Sequence, residues 1–150
     1  MREIVGDILD VKEGFICHQV NCQNKIGAGL SGAIIAKYPI VKHNYHKFCD
    51  AFPKNDLLGK TQVISVSPNL FIVNMFTQYG YGNSAKTHIN YTSQDLLVSE
   101  ILKLCSAEEN IANIYIPYKI GCGLAGGNWN YIYSSLERID PPNLIIVRKE

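Results

Sequence analysis

Short apolar stretches alternate along this chain with longer amphipathic ones, and few folds accommodate that order. The apolar stretches have the length of strands and are rich in β-branched or aromatic residues. They are GFICHQV (14–20), TQVISVS (61–67), LFIVNMF (70–76), NIYIP (113–117) and LIIVR (144–148), and EIVGDIL (3–9) is a further candidate. Several have no polar face, so helices must cover both sides of the sheet that they form. The sequence therefore predicts an α/β fold with a central mixed sheet between helices.

Three stretches between these strands have helical spacing of their apolar residues. LSGAIIAKYPIVKHNYHKF (30–48) is interrupted at Pro39, which predicts two consecutive helices. TSQDLLVSEILKLCS (92–106) starts with a Thr/Ser capping signal, and NWNYIYSSLERI (128–139) has one apolar face. No linker, internal repeat or low-complexity segment interrupts the pattern, so we expect residues 1–150 to form a single domain.

The charge balance and the cysteines indicate which partners and which cellular compartment to expect. Fourteen basic and thirteen acidic residues give a net charge of +1, so sequence-independent nucleic-acid binding is not expected. No apolar run approaches the roughly 18 residues of a membrane span, and the start of the chain lacks the apolar core of a signal peptide. The five cysteines are odd in number and lack CxxC spacing. This pattern predicts free thiols and a cytoplasmic location.

Two glycine-rich stretches each follow a predicted strand and precede a predicted helix. They are NCQNKIGAGLSGAI (21–34) and KIGCGLAGGNW (119–129). In an α/β sheet such junctions lie beyond the carboxyl ends of the strands, where ligands bind. Their backbone N–H groups can hold phosphate without basic side chains. Either stretch alone could be a tight turn, but the pair predicts a diphosphate site. The glycines of GAGLSG are spaced much as in dinucleotide-binding folds. No acidic residue stands at a clear strand end about 20 residues later, however, as such a fold requires.

At these motifs the sequence resembles the macrodomain family, whose members bind ADP-ribose. The matching motifs, in order, are GDI (6–8), HQVN (18–21), GAGLS (27–31) and IGCGLAGG (120–127). The resemblance covers almost the whole chain and implies a three-layer α/β/α macrodomain. It is closest to the branch of ADP-ribose-1″-phosphate phosphatases and terminal ADP-ribosyl-glutamate hydrolases, which share the GAG loop, LLGK (57–60) and the stretch 117–124.

The resemblance implies roles for individual residues. Asp7 would accept a hydrogen bond from the adenine amino group, the Ile8 N–H would meet a ring nitrogen, and Asn21 would hold hydroxyls of the distal ribose. Phe76, with Tyr79 and Tyr81, would wall the ribose and adenine. The residues that would cradle the diphosphate and cap the distal ribose are Gly27, Ala28, Gly29, Leu30 and Ser31 together with Gly121, Cys122, Gly123, Leu124 and Ala125. The alternatives are a turn-capping role for Asp7, a turn-stabilising role for Asn21 and a core position for each aromatic residue.

Departures from the family's pattern bear on catalysis. The glutamate hydrolases use a lysine after the strand that resembles FIVNMF and an aspartate after GCGL. Here Gln78 or a neighbour and Ala125 stand at those positions, so the lysine-dependent route is not expected. The phosphatases have a histidine before the first glycine loop, which His18 matches and which could activate a water or protonate the leaving oxygen. His18 and Asn21 are therefore the candidate catalytic residues, and a core histidine is the alternative.

The leading expectation is hydrolysis of ADP-ribose-1″-phosphate to ADP-ribose and phosphate by a monomer without metal or cofactor. Two alternatives are a non-catalytic ADP-ribose reader and a hydrolase that removes ADP-ribose from protein or nucleic acid by substrate-assisted water attack. His43, His46 and Cys49 lack a fourth ligand, so no metal site is expected there. Residues i and i+3 of a regular strand project oppositely. The strand must therefore bend if His18 and Asn21 are both to face the ligand.

Overall fold

The computed structural model describes residues 1–81, 92–123 and 125–150. In these ranges six strands form one sheet, and they are β1 (Arg2–Val5), β2 (Gly14–Asn21), β3 (Thr61–Ser67), β4 (Leu70–Gln78), β5 (Ile114–Pro117) and β6 (Leu144–Arg148). Their order across the sheet is β1-β6-β5-β2-β4-β3. Neighbouring strands are parallel except β3 and β4, which are antiparallel. The mixed sheet that the sequence predicts is confirmed.

The helices lie in the stretches between the strands. They are α1 (Gly29–Lys37), α2 (Pro39–Ala51), α3 (Lys54–Leu57), α4 (Gln94–Ala107) and α5 (Trp129–Ile139), and a 3-10 turn over Ile8–Asp10 follows β1. Pro39 begins α2, where its missing N–H removes no helical hydrogen bond. The predicted break between two consecutive helices is therefore confirmed, whereas the one-turn helix α3 was not predicted. No helix in the described ranges is long and apolar enough to cross a membrane.

Alternate residues of β2 face the two opposite helical layers. Phe15 and Cys17 belong to a buried cluster that includes residues of α4 and α5, namely Leu97, Ile101, Ile132 and Leu136. Ile16 belongs to a second cluster that includes Ile34 of α1 and Val41 of α2. The sheet is therefore the middle of three layers, as the alternation of strands and helices predicts.

The parallel strands bring several loops to one edge of the sheet. β1, β6, β5, β2 and β4 run in the same direction, so their carboxyl ends lie at the same edge. Residues 22–28, which join β2 to α1, are here called the first loop, and residues 118–128, which join β5 to α5, the second loop. The pairing of β2 with β4 shifts register between Val20 and Asn21. This irregularity lies between His18 and Asn21, whose spacing would place them on opposite faces of a regular strand.

Candidate functional site

A cavity of about 650 Å³ lies between the two loops at the carboxyl edge of the sheet. Its walls come from the end of β2, from the first loop and the start of α1, and from the second loop. The lining residues include those at 18–21, 25–31, 117–121, 123 and 125, together with Gln78 and Tyr81. The volume is within the range of small-molecule and cofactor sites. Lys25 and Lys119 bring positive charge to its lining.

Glycine is required where each loop meets the helix that follows it. A Cβ atom on Gly32 would lie 2.5 Å from the carbonyl oxygen of Gly27, and one on Gly127 would lie 2.5 Å from that of Gly121. Contacts this short do not occur for real side chains. Both loops therefore fold back closely onto the start of the helix that follows, and the first residues of α1, Gly29 to Ser31, line the cavity.

A set of hydrogen-bonded polar side chains holds the second loop. Thr92 donates from its hydroxyl to the Gly121 carbonyl oxygen at 2.5 Å, and its backbone N–H donates to the Ala125 carbonyl oxygen at 2.9 Å. Gln19 donates to the Thr92 hydroxyl at 2.9 Å and to Gln78 Oε1 at 3.0 Å. The side chains of Thr92 and Gln19 thus connect the second loop to β2 and β4.

His18 lies at the end of a row of hydrogen bonds that crosses three strands. His18 of β2 is opposite Asn74 of β4, and Asn74 is opposite Gln62 of β3. His18 Nε2 bonds to Asn74 Oδ1, and Asn74 Nδ2 donates to Gln62 Oε1 at 3.0 Å. Gln62 Nε2 donates to the Asn44 carbonyl oxygen at 2.9 Å. At the other end His18 Nδ1 bonds to Ser31 Oγ at 2.8 Å.

The direction of every bond in this row follows from its last member. A backbone carbonyl can only accept, so Gln62 must present its NH₂ group to Asn44 and its oxygen to Asn74. Asn74 therefore presents its own oxygen to the imidazole, which must carry its proton on Nε2. In the neutral ring Nδ1 is then the acceptor, and the Ser31 hydroxyl donates to it.

The neutral form of His18 is also the one that burial favours. The side chain is 2% exposed, and burial lowers its pKa from 6.5 to about 4, while the bond to Asn74 opposes part of that effect. At neutral pH the imidazole is therefore uncharged, and its Nδ1 accepts a hydrogen bond. His18 lines the cavity and meets the ligand space beside Ser31.

Asn21 lines the cavity, but its amide is engaged in the first loop. Its Oδ1 accepts from the Gln23 N–H at 2.9 Å and from the Tyr45 hydroxyl at 3.0 Å. Its Nδ2 donates to the Lys25 carbonyl oxygen at 2.7 Å. The side chain thus stabilises the turn, the alternative considered from the sequence, and its contact with a ribose remains a proposal.

Asp7 and Ile8 directly follow β1 at the same edge of the sheet. Asp7 Oδ1 accepts from the Leu9 N–H at 2.9 Å and so caps the 3-10 turn. This cap occupies one carboxylate oxygen and fixes the orientation of the carboxyl group. The Ile8 side chain is buried, whereas its N–H lies in the first turn, where intrahelical partners are lacking.

The residues that line the cavity do not include four of the predicted contacts, which are Asp7, Ile8, Phe76 and Cys122. Phe76 is fully buried and stacks on Tyr45 with ring centroids 5.7 Å apart, which corrects the expectation that it walls the ribose. It lies on the face of β4 that α2 covers. The Cys122 thiol donates to the Ile120 carbonyl oxygen at 3.3 Å, and burial raises its pKa. Leu124 lies outside the described residues.

The remaining predicted residues come together as the sequence suggests. Those of the first loop and of the start of α1 line one wall, and Gly121, Gly123 and Ala125 line the facing wall. Gln78 and Ala125 are both at the cavity. At these two positions the wall therefore has neither a lysine amine nor a carboxylate. Within the described ranges no group of three metal-binding side chains occurs.

Several polar residues of the site were missed by reasoning from the sequence. Asn74, Gln62, Gln19 and Thr92 build the two hydrogen-bonded sets behind the cavity. The signal for Asn74 was its place as the one polar residue of the apolar run LFIVNMF. A polar side chain in a buried strand requires a partner, and only the strand register identifies that partner as His18.

The same fold occurs in solved structures of other proteins. A protein of unknown function from Bacteroides thetaiotaomicron has a TM-score of 0.82 and 23% identity, over 99% of this chain and 96% of that one. A macrodomain protein from Streptomyces coelicolor has a TM-score of 0.76 and 20% identity, over 100% and 99%. DarTG from Thermosipho africanus, solved in complex with ADP-ribose, has a TM-score of 0.72 and 16% identity, over 99% and 42%.

Similarity at the level of sequence is much weaker. No protein-family model matches the chain, and no curated protein is similar to it in sequence. The likeness to these solved structures therefore concerns the path of the backbone. It extends over nearly the whole chain. The chain thus has the three-layer α/β/α macrodomain fold.

Proposed function

We propose that this protein binds ADP-ribose in the cavity between the two loops. The observation that carries the proposal is the pairing of two glycine-rich loops, each leading into a helix N-terminus, across a cavity of about 650 Å³. The N-terminal residues of α1 line this cavity, and a helix N-terminus can bind phosphate through backbone N–H groups. The structurally similar DarTG of Thermosipho africanus is a complex with ADP-ribose, which supports the same class of ligand here.

The positions of the residues suggest how the ligand lies. The diphosphate lies between the two loops, with Lys25 and Lys119 of the cavity lining adding favourable charge. The adenine lies towards the residues that follow β1, where the free oxygen of the Asp7 carboxylate accepts from the amino group. The distal ribose lies towards the end of β2, beside His18, Asn21 and Ser31.

Calorimetric titration with ADP-ribose tests this proposal, and Gly123→Glu is the most informative variant. A Cβ atom at Gly123 would meet no other atom within 4 Å, so the fold accommodates the new side chain. Its carboxylate would enter the phosphate site and repel the ligand. We expect Gly123→Glu to abolish binding, with an unchanged melting temperature.

Gly123→Ala is the matched control, because it adds only the Cβ atom for which there is room. This variant is expected to bind as the wild type does. Equal affinity of Gly123→Glu and wild type would show that the second loop is not part of the site. A wild-type protein that gives no binding heat with ADP-ribose would overturn the proposal itself.

The proposed reaction at this site is hydrolysis of ADP-ribose-1″-phosphate to ADP-ribose and phosphate. What favours it is the neutral imidazole of His18, whose acceptor nitrogen lies at the end of the cavity proposed for the distal ribose. A neutral imidazole can take a proton from the attacking group and return it to the leaving oxygen. A phosphate-release assay on the same protein sample tests the reaction, and release of phosphate from ADP-ribose-1″-phosphate supports it. Tight binding without turnover of any ADP-ribose derivative supports a non-catalytic ADP-ribose reader.

A further inference from the structure

Ser31 occupies a position at which a serine hydroxyl is chemically useful. It is the third residue of α1 and lines the cavity, so it lies among the N–H groups of the first helical turn. Those groups have no partner within the helix and would stabilise negative charge that develops on a group bound beside them. The Ser31 side chain is half-buried and remains open to the cavity.

The hydroxyl proton of Ser31 already points at a base. The row of bonds from the Asn44 carbonyl leaves His18 Nδ1 as an acceptor, and Ser31 Oγ lies 2.8 Å from it. The imidazole cannot rotate without breaking its bond to Asn74, a side chain that is itself fully buried. The lone pairs of Ser31 Oγ are thus available for a ligand, while its proton is committed to His18.

We propose that Ser31 is a catalytic nucleophile, with His18 as its base and Asn74 as the residue that positions the imidazole. The inference rests on the proposed function, because it assigns the attacking group for the proposed substrate. A serine, a histidine and an orienting group in hydrogen-bonded sequence form the arrangement that activates a hydroxyl. Here the three residues lie on α1, β2 and β4, and the row of bonds settles which nitrogen carries the proton.

The reaction follows from the direction of the bonds. Ser31 Oγ attacks the phosphorus of the 1″-phosphate while its proton passes to His18 Nδ1, and the bond from phosphorus to O1″ breaks. His18 returns that proton to O1″, which releases ADP-ribose and leaves phosphoserine. A water then attacks the phosphorus and gives a proton to His18 Nδ1. The bond to Oγ breaks, Oγ takes the proton, and inorganic phosphate leaves.

The neutrality of Asn74 limits the rate that this arrangement can reach. When His18 accepts the serine proton it becomes an imidazolium, and its Nε2–H donates to an amide oxygen rather than to a carboxylate. A carboxylate would stabilise that charge more strongly. The structure therefore points to a slow nucleophile. A reagent that forms a stable adduct detects such a nucleophile better than a turnover assay does.

The test is labelling of the full chain with a fluorophosphonate, followed by intact-mass and peptide mass spectrometry. We expect one adduct on Ser31, none in Ser31→Ala, and at least a tenfold slower reaction in His18→Gln. Ser135→Ala is the matched control, since Ser135 is also helical but donates to the Tyr131 carbonyl oxygen at 2.8 Å rather than to an imidazole. It should label as the wild type does.

The outcomes separate this inference from the proposed function. Labelling of Ser31 that ADP-ribose prevents supports both. Labelling of Ser31 in a protein that gives no binding heat with ADP-ribose supports the nucleophile and overturns the proposed ligand. ADP-ribose binding by a protein whose Ser31 labels no faster than Ser135 overturns the nucleophile and leaves the ligand assignment intact. Ser31→Ala retains the buried row of bonds from His18 to Asn44, so its fold is expected to be unchanged.

Discussion

The imidazole of His18 is buried without an ionic partner, and its protonation therefore carries a cost that solution measurements can detect. Both ring nitrogens are hydrogen-bonded in the neutral form. The charged form would need a second acceptor where Ser31 now donates, and it would lose its hydration. At the scale of a single residue, the stability of the fold therefore depends on whether the imidazole of His18 is neutral.

This link predicts a loss of stability in mildly acidic solution. The folded state keeps the pKa of His18 at about 4, whereas the unfolded state has the ordinary value of 6.5. Between these pH values the unfolded chain binds the extra proton, so stability falls as the pH falls from 6.5 to 4. The decrease due to His18 is about 3 kcal/mol. Urea unfolding at a series of pH values measures it.

His18→Gln removes the titrating group, and its decrease over the same interval should be smaller by that amount. The other histidines and the carboxylates titrate in both proteins, so the difference between the two curves isolates His18. Parallel curves would show that the pKa of His18 is the same in the folded and the unfolded state. That result would contradict the burial of the imidazole without an ionic partner.

Asp7 allows a second prediction at the residue scale, because its two carboxylate oxygens have different tasks. Asp7→Asn keeps an oxygen for the Leu9 N–H, so the turn persists, but it replaces the oxygen proposed to face the adenine amino group by an NH₂ group. We expect ADP-ribose to bind about 10- to 100-fold more weakly, the cost of an unpaired polar group. Calorimetry against ADP-ribose and its hypoxanthine analogue measures the effect.

The hypoxanthine analogue has an oxygen where adenine has the amino group, and the new NH₂ group can donate to it. The variant should therefore prefer the analogue, which wild type should bind more weakly than ADP-ribose. Equal losses for both ligands would place Asp7 outside the adenine site. The comparison distinguishes recognition of the base from a general effect on the turn.

At the scale of elements, the Thr92 side chain links the second loop to Gln19 of β2, beside the backbone bond from the Tyr118 N–H to the Val147 carbonyl of β6. Thr92→Val keeps the shape of the side chain but removes the bond to the Gly121 carbonyl and the acceptor for Gln19. We expect about 1 to 2 kcal/mol of lost stability and a five- to tenfold loss of ADP-ribose affinity. Thermal unfolding and calorimetry measure the two effects.

Thr61→Val is the matched control for this prediction. The Thr61 hydroxyl donates to Glu100 Oε2 at 2.9 Å, and Thr61 is not among the residues that line the cavity. This variant should lose stability without losing affinity. An equal loss of affinity in both variants would mean that binding follows overall stability rather than the position of the second loop.

The elements themselves follow well from the sequence, because burial and local propensity act on each of them separately. The runs at 61–67 and 144–148 are strands with the predicted bounds. β2 extends by one residue to Asn21 and β4 by two to Gln78, since hydrogen bonding to neighbouring strands continues beyond the apolar residues. The helix α3 was missed because one turn has too few residues to show a period.

The polar rows behind the cavity were not predictable in the same way. His18, Asn74 and Gln62 belong to three strands, and each of them occurs in the sequence without any sign of the others. Their alignment depends on strand order and register, which a one-residue slip would alter completely. The two glycine-rich loops could be predicted because the pattern of each is local.

At the scale of the whole molecule, five strand ends point to one edge and the cavity collects residues from distant parts of the chain. The two loops are separated by most of the sequence and meet only because β2 and β5 are neighbours. The strand order of the sheet therefore determines that the two loops face each other. Changes within the sheet that preserve strand order should leave the proposed phosphate site in place.

The position of β1 has a consequence for the order in which the molecule is completed during synthesis. Its four residues are exposed, and among the described strands it pairs with β6 alone. The ribosome makes β1 first of these strands and β6 last, so β1 waits without a partner until 144–148 have emerged. Asp7 and Ile8 continue directly from β1. The residues proposed to recognise the base therefore reach their final place only after β6 has been made, when the stretches of both glycine-rich loops have already been synthesised.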